Sequence, residues 1–240
     1  MNDEFTKWLE KTYGGVEAAP VKVKRGKIHE YLAMRLNYSE PGTVIIDMTE
    51  YVKGMISDFP NKLVVSRYPW NEQLFKIDTE SKELPKAERE LFHTFVAKGL
   101  FLCMRGRPDI QPAIALLATR VRNPTDQDNE KLERLLGYLM ATEEDVIRLK
   151  INPEAGIKWY VDASFAVHND MRSHTAAVMT LGEGAIYATC TKQKINTRSS
   201  TEAELVSMDN VLAKVLWIKR LITEQQWEIK QVVIYRVNVS

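Results

Sequence analysis

The sequence predicts an α+β protein: short strands and helices over its first 60 residues, helices to about residue 150, then a mixed sheet with one long helix. Three observations carry that expectation. Apolar residues recur at helical spacing in three successive runs, 87–103, 110–122 and 126–141. After residue 150 the pattern changes to short strand-like runs at 157–161, 176–180 and 186–191. A helical run of more than twenty residues, about 201–225, then precedes a last strand at 232–235.

Taken in order, Phe5, Trp8, Leu9 and Tyr13 share one helix face, and Gly14-Gly15 stops that helix. Val21 and Val23 alternate with Lys22 and Lys24; with residues 31–36 they read as two strands around a turn near Gly26. Pro41-Gly42 makes a further turn before Val44-Ile45-Ile46. Asp47 and Glu50 form an Asp variant of the capping box, opening a helix whose face carries Tyr51, Met55 and Phe59 and which ends at Pro60. Residues 61–85 are polar with little periodicity, so they read as a connecting loop and as the best internal boundary before residue 150. Two of the later helices open after Arg107-Pro108-Asp109 and Asn123-Pro124-Thr125, and Gly182-Glu183-Gly184 joins two strands as a hairpin.

Composition narrows the function classes. With 45% hydrophobic and 27% charged residues in 240, the chain is neither disordered nor membrane-like, and one large domain or two small ones would fit. Lys and Arg number 33 against 32 Asp and Glu, so any nucleic-acid site must be a local patch. Two cysteines, Cys103 and Cys190, argue against a disulfide framework or a zinc site and for two buried thiols in an intracellular protein. Neither a signal peptide nor a membrane span is expected. Composition does not set the oligomeric state.

The chemistry-bearing residues lie after residue 150. Glu204, Met208, Val211, Val215, Ile218 and Ile222 fall at alternating spacings of four and three, one stripe that should face the sheet. Glu204 is its only charged member, and a carboxylate there needs a cation, a donor, a proton or solvent. Glu202 points to the other side of the helix and makes a Ser-x-x-Glu capping box with Ser199. Asp162 ends the strand Trp159-Tyr160-Val161 and precedes the small Ala163-Ser164, so a metal-bridged pair with Glu204 is geometrically reasonable. The alternative is a strand-end turn residue and a solvated helix residue.

The run Lys192-Gln193-Lys194-Ile195-Asn196-Thr197-Arg198-Ser199-Ser200-Thr201-Glu202-Ala203-Glu204 resembles the Lys-Gln … Ser-Ser-Thr-Glu-Ala-Glu signature of ribonuclease H domains in copia-type retrotransposon polyproteins. Upstream, Arg107-Pro108-Asp109-Ile110 resembles that family's Arg-Pro-Asp-Ile, Pro124-Thr125 its Pro-Thr, and Leu136-Gly137-Tyr138-Leu139 its Leu-Arg-Tyr-Leu. Tyr31-Leu32-Ala33-Met34 resembles its Tyr-Leu-Gly-Met strand.

The resemblance implies the end of a polymerase palm at 1–63, a mainly helical thumb and connection at 64–150, and an incomplete ribonuclease H-like mixed sheet with one long helix at 151–240. It implies RNA-directed DNA synthesis and RNA cleavage in RNA/DNA hybrids, both with Mg2+. Asp162 and Glu204 would be catalytic and metal-binding, and nucleic acid the partner. Two departures are expected to leave this chain inactive alone. No Asp-Asp pair of the polymerase motif occurs, and Tyr235-Arg236-Val237-Asn238 has Val237 where the nuclease aspartate of a Tyr-x-Asp-Asn run belongs. The chain also stops at Ser240, before the last acidic position expected. Gly137, Met140 and Ala33 differ from the family's usual residues, which fits relaxed constraint.

Lys192, Lys194 and Arg198, beside Thr197, Ser199 and Ser200, could hold a hybrid's phosphates; a solvated basic loop is the alternative. Lys22, Lys24, Arg25 and Lys27 read as an exposed edge strand protected by charge. The four histidines lack metal-ligand spacing, and Trp8, Trp159 and Trp217 read as core. A non-catalytic binding remnant, or a product of a decayed element, is the competing reading.

Overall fold

The computed structural model describes residues 2–14, 21 and 23–236; Gly15, Lys22 and Val237 fall outside it. Among the described residues it is a mixed α+β fold with two sheets and six α-helices. The helices α3 (Lys86–Cys103), α4 (Gln111–Arg120) and α5 (Asp126–Ala141) lie where the periodicity places them. They pack with α2 (Thr49–Ser57) around Phe92, Phe95, Leu102, Ile114, Leu117, Leu132 and Leu136.

Local chemistry fixes the ends of these helices. At α5, Thr125 and Asp128 form a reciprocal capping box, and the buried Asp128 also takes the guanidinium of Arg120 at 3.1 Å. At α2 the expected box does not form. Asp47 Oδ1 accepts from the Thr49 N–H at 2.8 Å, an Asx turn that starts the helix at Thr49. The Arg-Pro-Asp run is a structural clamp. Arg107, buried, donates to both carboxylate oxygens of Asp109 and to the carbonyl and hydroxyl of Thr142, so it ties the start of α4 to the end of α5. Segment 61–85 is coil, as expected. Yet Leu74 and Leu84 are buried, so it is wrapped onto the helical core rather than looped out. It runs so close to α5 that a Cβ on Gly137 would lie 2.0 Å from the Val64 carbonyl oxygen. Packing rather than relaxed constraint explains that glycine.

The N-terminal hairpin differs from expectation. Its strands are β1 (Ile28–Tyr31) and β2 (Met34–Asn37), and the turn is Leu32-Ala33, not Gly26. Residues 23–27 are not strand, so the basic segment is exposed coil, with Arg25 paired to Asp3. Leu32 and Ala33 adopt φ of 49° and 59°, the left-handed pair that a tight hairpin turn requires. The related motif carries glycine at the second position for a physical reason: a Cβ is disfavoured there by roughly 1 kcal/mol or more. Ala33→Gly should therefore raise stability by about 0.5–1 kcal/mol in urea unfolding, since strain relief exceeds the entropy glycine adds to the unfolded chain.

β3 (Thr43–Asp47) joins β2, and β4 (Ile147–Ile151), a strand the sequence pattern does not announce, joins β3. The Gly182-Glu183 link is also more than a hairpin turn. It forms β7 (Gly182–Glu183), which pairs with β4 and completes the antiparallel order β1-β2-β3-β4-β7.

The second sheet has the order β8-β6-β5-β9, from β5 (Ile157–Ser164), β6 (His174–Thr180), β8 (Tyr187–Lys192) and β9 (Val232–Arg236). Its pairings are antiparallel except β5 with β9, which is parallel. The long helix α6 (Ser200–Glu224) covers one face. Val211, Val215 and Ile218 meet Ile157, Trp159 and Val161 in a second core, with Met208 and Ile222 at its margin, as the stripe predicts. Trp217 and Trp8 are corrections to the expected core. Both are more than half exposed, Trp217 beneath the Lys214 ammonium and Trp8 stacked on Phe5. No helix among the described residues is long and apolar enough to cross a membrane.

Candidate nucleic-acid interface and carboxylate site

Strand alternation assigns Asp162 and Glu204 to different surroundings. On β5, Ile157, Trp159 and Val161 face α6, so Asp162 projects from the opposite face, beside its register neighbour Ala176. It is exposed, and its Oδ1 accepts from the Ala163 N–H at 2.8 Å. It lines a cleft of about 580 Å³ formed by Ser164, His174 and Cys190 of the sheet, Glu72 and Phe75 of the connecting segment, and Pro112 of α4.

Glu204 sits in the first two turns of α6 with its side chain 14% exposed, and it forms an ion pair with Arg236 on β9. Arg236 is the register partner of Val161, which puts its base on the α6 side of the sheet. Arg236 goes unnoticed in sequence reasoning, because its significance depends on the parallel pairing of β9 with β5.

A two-magnesium centre needs several carboxylates converging at short range. Here one carboxylate faces the cleft, while the other is held by a guanidinium on the α6 side. Among the described residues no group of three or more His, Cys, Asp or Glu is arranged to hold a metal ion. Among the described residues the donor set does not fit a two-metal centre.

The loop between β8 and α6 is built more tightly than its polarity suggests. Gln193, buried, donates to the Ala203 carbonyl at 2.8 Å and to Thr175 Oγ1 at 3.1 Å, fastening the strand end to the first turn of α6. Ser199 Oγ accepts from the Glu202 N–H, and the Glu202 carboxylate accepts from the Arg198 N–H at 2.6 Å. Glu202 is thus the capping residue, one position off the standard box. Lys194, Arg198 and Ser200 are exposed, whereas Lys192 is partly committed to Asp170 at 2.6 Å. Of the four polar residues expected at a phosphate, three are open to one.

A second cluster was not foreseen. His168 and His174 are buried and linked, with 2.9 Å between His168 Nε2 and His174 Nδ1, and His174 Nε2 lies 2.9 Å from Cys190 Sγ. Phe75 packs on both rings at 4.9 and 5.2 Å. Burial, reinforced by the charges of His168 and Lys192, pushes His174 down to about 4. Burial pushes the Cys190 thiol up to about 12, and Cys103 likewise, so both are inert thiols at neutral pH. Spacing alone hides this cluster, since it needs β6 paired to β8 and the connecting segment folded over both.

Among the described residues the chain is a mixed α+β protein with two sheets and six α-helices, and comparison with known proteins supplies its relatives. No family model matches, and no solved structure matches. A transposon Ty5-1 protein of Saccharomyces cerevisiae is 24% identical over 193 residues, 79% of this chain and 62% of that protein. The Pol polyprotein from transposon RE1 of Arabidopsis thaliana is 36% identical over 119 residues, 49% of this chain and 8% of the polyprotein. The Pol polyprotein from transposon TNT 1-94 of Nicotiana tabacum is 31% identical over 130 residues, 54% of this chain and 10% of the polyprotein. The chain is thus a relative of retrotransposon polyproteins, spanning less than two thirds of the first of these relatives and about a tenth of the Pol polyproteins.

Proposed function

We propose that the chain corresponds to the end of a polymerase palm (1–63), a thumb and connection (64–150) and a ribonuclease H-like unit (151–240) of a retrotransposon polyprotein. In this reading it engages an RNA/DNA hybrid and does not cut it by itself. One observation carries the reading. The sheet order β8-β6-β5-β9, followed by α6 between β8 and β9, sets Asp162 on an inner strand, Glu204 in the early turns of the helix, and Arg236 at the position just before Val237. Positions 162, 204 and 237 are where the resemblance expects the nuclease carboxylates.

Valine supplies no ligand, so the chain lacks a donor that two-metal chemistry requires. What it keeps is the loop carrying Lys194, Arg198 and Ser200, whose charges can meet phosphates. Binding should show the salt dependence of phosphate contacts. In fluorescence anisotropy with a labelled RNA/DNA hybrid, Lys194→Ala plus Arg198→Ala should weaken binding roughly tenfold at low salt and flatten the salt slope by about 1–2. Equal affinity and an unchanged slope in the double variant would place the contact elsewhere. Absence of any binding by a folded chain would sink the reading.

A further inference from the structure

We propose that Arg236 is the resident cation of the Glu204 site, and that it closes this site to divalent metal. The expectation that a metal belongs there rests on the ribonuclease H-like reading; the ion pair itself does not. Glu204 belongs to the stripe with which α6 covers the sheet, where an uncompensated carboxylate would be costly. Arg236 supplies the compensation from the neighbouring strand.

Three features make this arrangement self-sufficient. The parallel register of β9 with β5 sets Arg236 beside Val161, so its backbone is fixed by the sheet rather than by a mobile loop. Its side chain is 38% exposed, against 14% for that of Glu204. A planar guanidinium also suits a carboxylate far better than an ammonium does. Asp162, the other acid, opens into the cleft on the far face, and no residue of α6 or β9 lines that cleft. A divalent ion would therefore have to displace Arg236 to reach Glu204, and among the described residues no group of three or more His, Cys, Asp or Glu is arranged to receive it.

The test uses the whole chain without nucleic acid, reading thermal melting with and without Mn2+ and, in parallel, Mn2+ binding by electron paramagnetic resonance. The native chain should melt at the same temperature with or without millimolar Mn2+ and bind the ion no better than a surface carboxylate. Arg236→Ala should melt roughly 4–8 °C lower in metal-free buffer and recover part of that loss when Mn2+ is added. Arg236→Lys should lie between the two and respond little to metal. If Arg236→Ala does not fold, Glu204→Gln serves instead: once the carboxylate is neutral, adding Arg236→Ala should lower the melting temperature no further.

Submillimolar Mn2+ binding by the native chain that is lost in Glu204→Gln would overturn the proposal. So would an Arg236→Ala chain that melts like the native one, or one that melts lower and is not rescued by Mn2+. None of these outcomes depends on hybrid binding, so failure here is distinguishable from failure of the proposed function.

Discussion

Asp109→Ala should cost about 3–5 kcal/mol of stability, the loss typical when a buried charge is stripped of its partner. Arg107 is 3% exposed and spends three of its hydrogen bonds on Asp109, while Tyr138 donates to the same carboxylate at 2.8 Å. Removing that carboxylate leaves a buried guanidinium with the oxygens of Thr142 and the Tyr138 ring as neutral partners and no counter-charge from Asp109. Asp109→Asn keeps the shape but not the charge and should lose somewhat less. Urea unfolding followed by circular dichroism measures both. A loss under 1 kcal/mol would mean that the clamp is not what holds α4 to α5.

The second large effect is acid destabilisation through His174. Its ordinary value is 6.5, and in the folded chain it is pushed down to about 4 by burial and by the nearby His168 and Lys192. Between those values the unfolded chain takes up a proton that the folded chain refuses, so stability falls as pH falls from about 6.5 and the decline ends near 4. Above pH 6.5 both states are neutral and the residue contributes no slope. The full drop is roughly 3 kcal/mol at 1.4 kcal/mol per unit. His168 is also pushed down by burial and adds to the same trend. Because Phe75 packs on both rings, the connecting segment should loosen with them. Denaturant midpoints measured from pH 8 to pH 4 should trace this decline, and His174→Gln should flatten it.

Much of the fold was legible in the sequence. Helices α3, α4, α5 and α6 announce themselves by apolar spacing, because a long amphipathic run leaves few alternatives. The stripe on α6 fixed which side meets the sheet, and hence that Glu204 rather than Glu202 turns inward. Short strands were harder. β4 pairs only with distant partners and carries no turn signal of its own, and β7 hides inside a glycine-rich link. The hairpin turn was misplaced because Gly26 looks like a turn residue and Leu32-Ala33 does not, although they bear the left-handed conformation.

The candidate site was legible as residue types but not as an arrangement. Asp162 and Glu204 could be named from spacing and resemblance, yet the face each occupies depends on sheet register. The role of Arg236 and the burial of His168, His174 and Gln193 arise from pairings that a linear pattern does not encode. Charge spacing also overstated Lys192, which Asp170 partly claims.

The measurement closest to the central claim is cleavage of an end-labelled RNA/DNA hybrid by the purified chain in Mg2+ or Mn2+, at a protein concentration where anisotropy shows the hybrid bound. The account predicts bound and intact hybrid. Metal-dependent cutting of the RNA strand, abolished by Asp162→Asn, would contradict it.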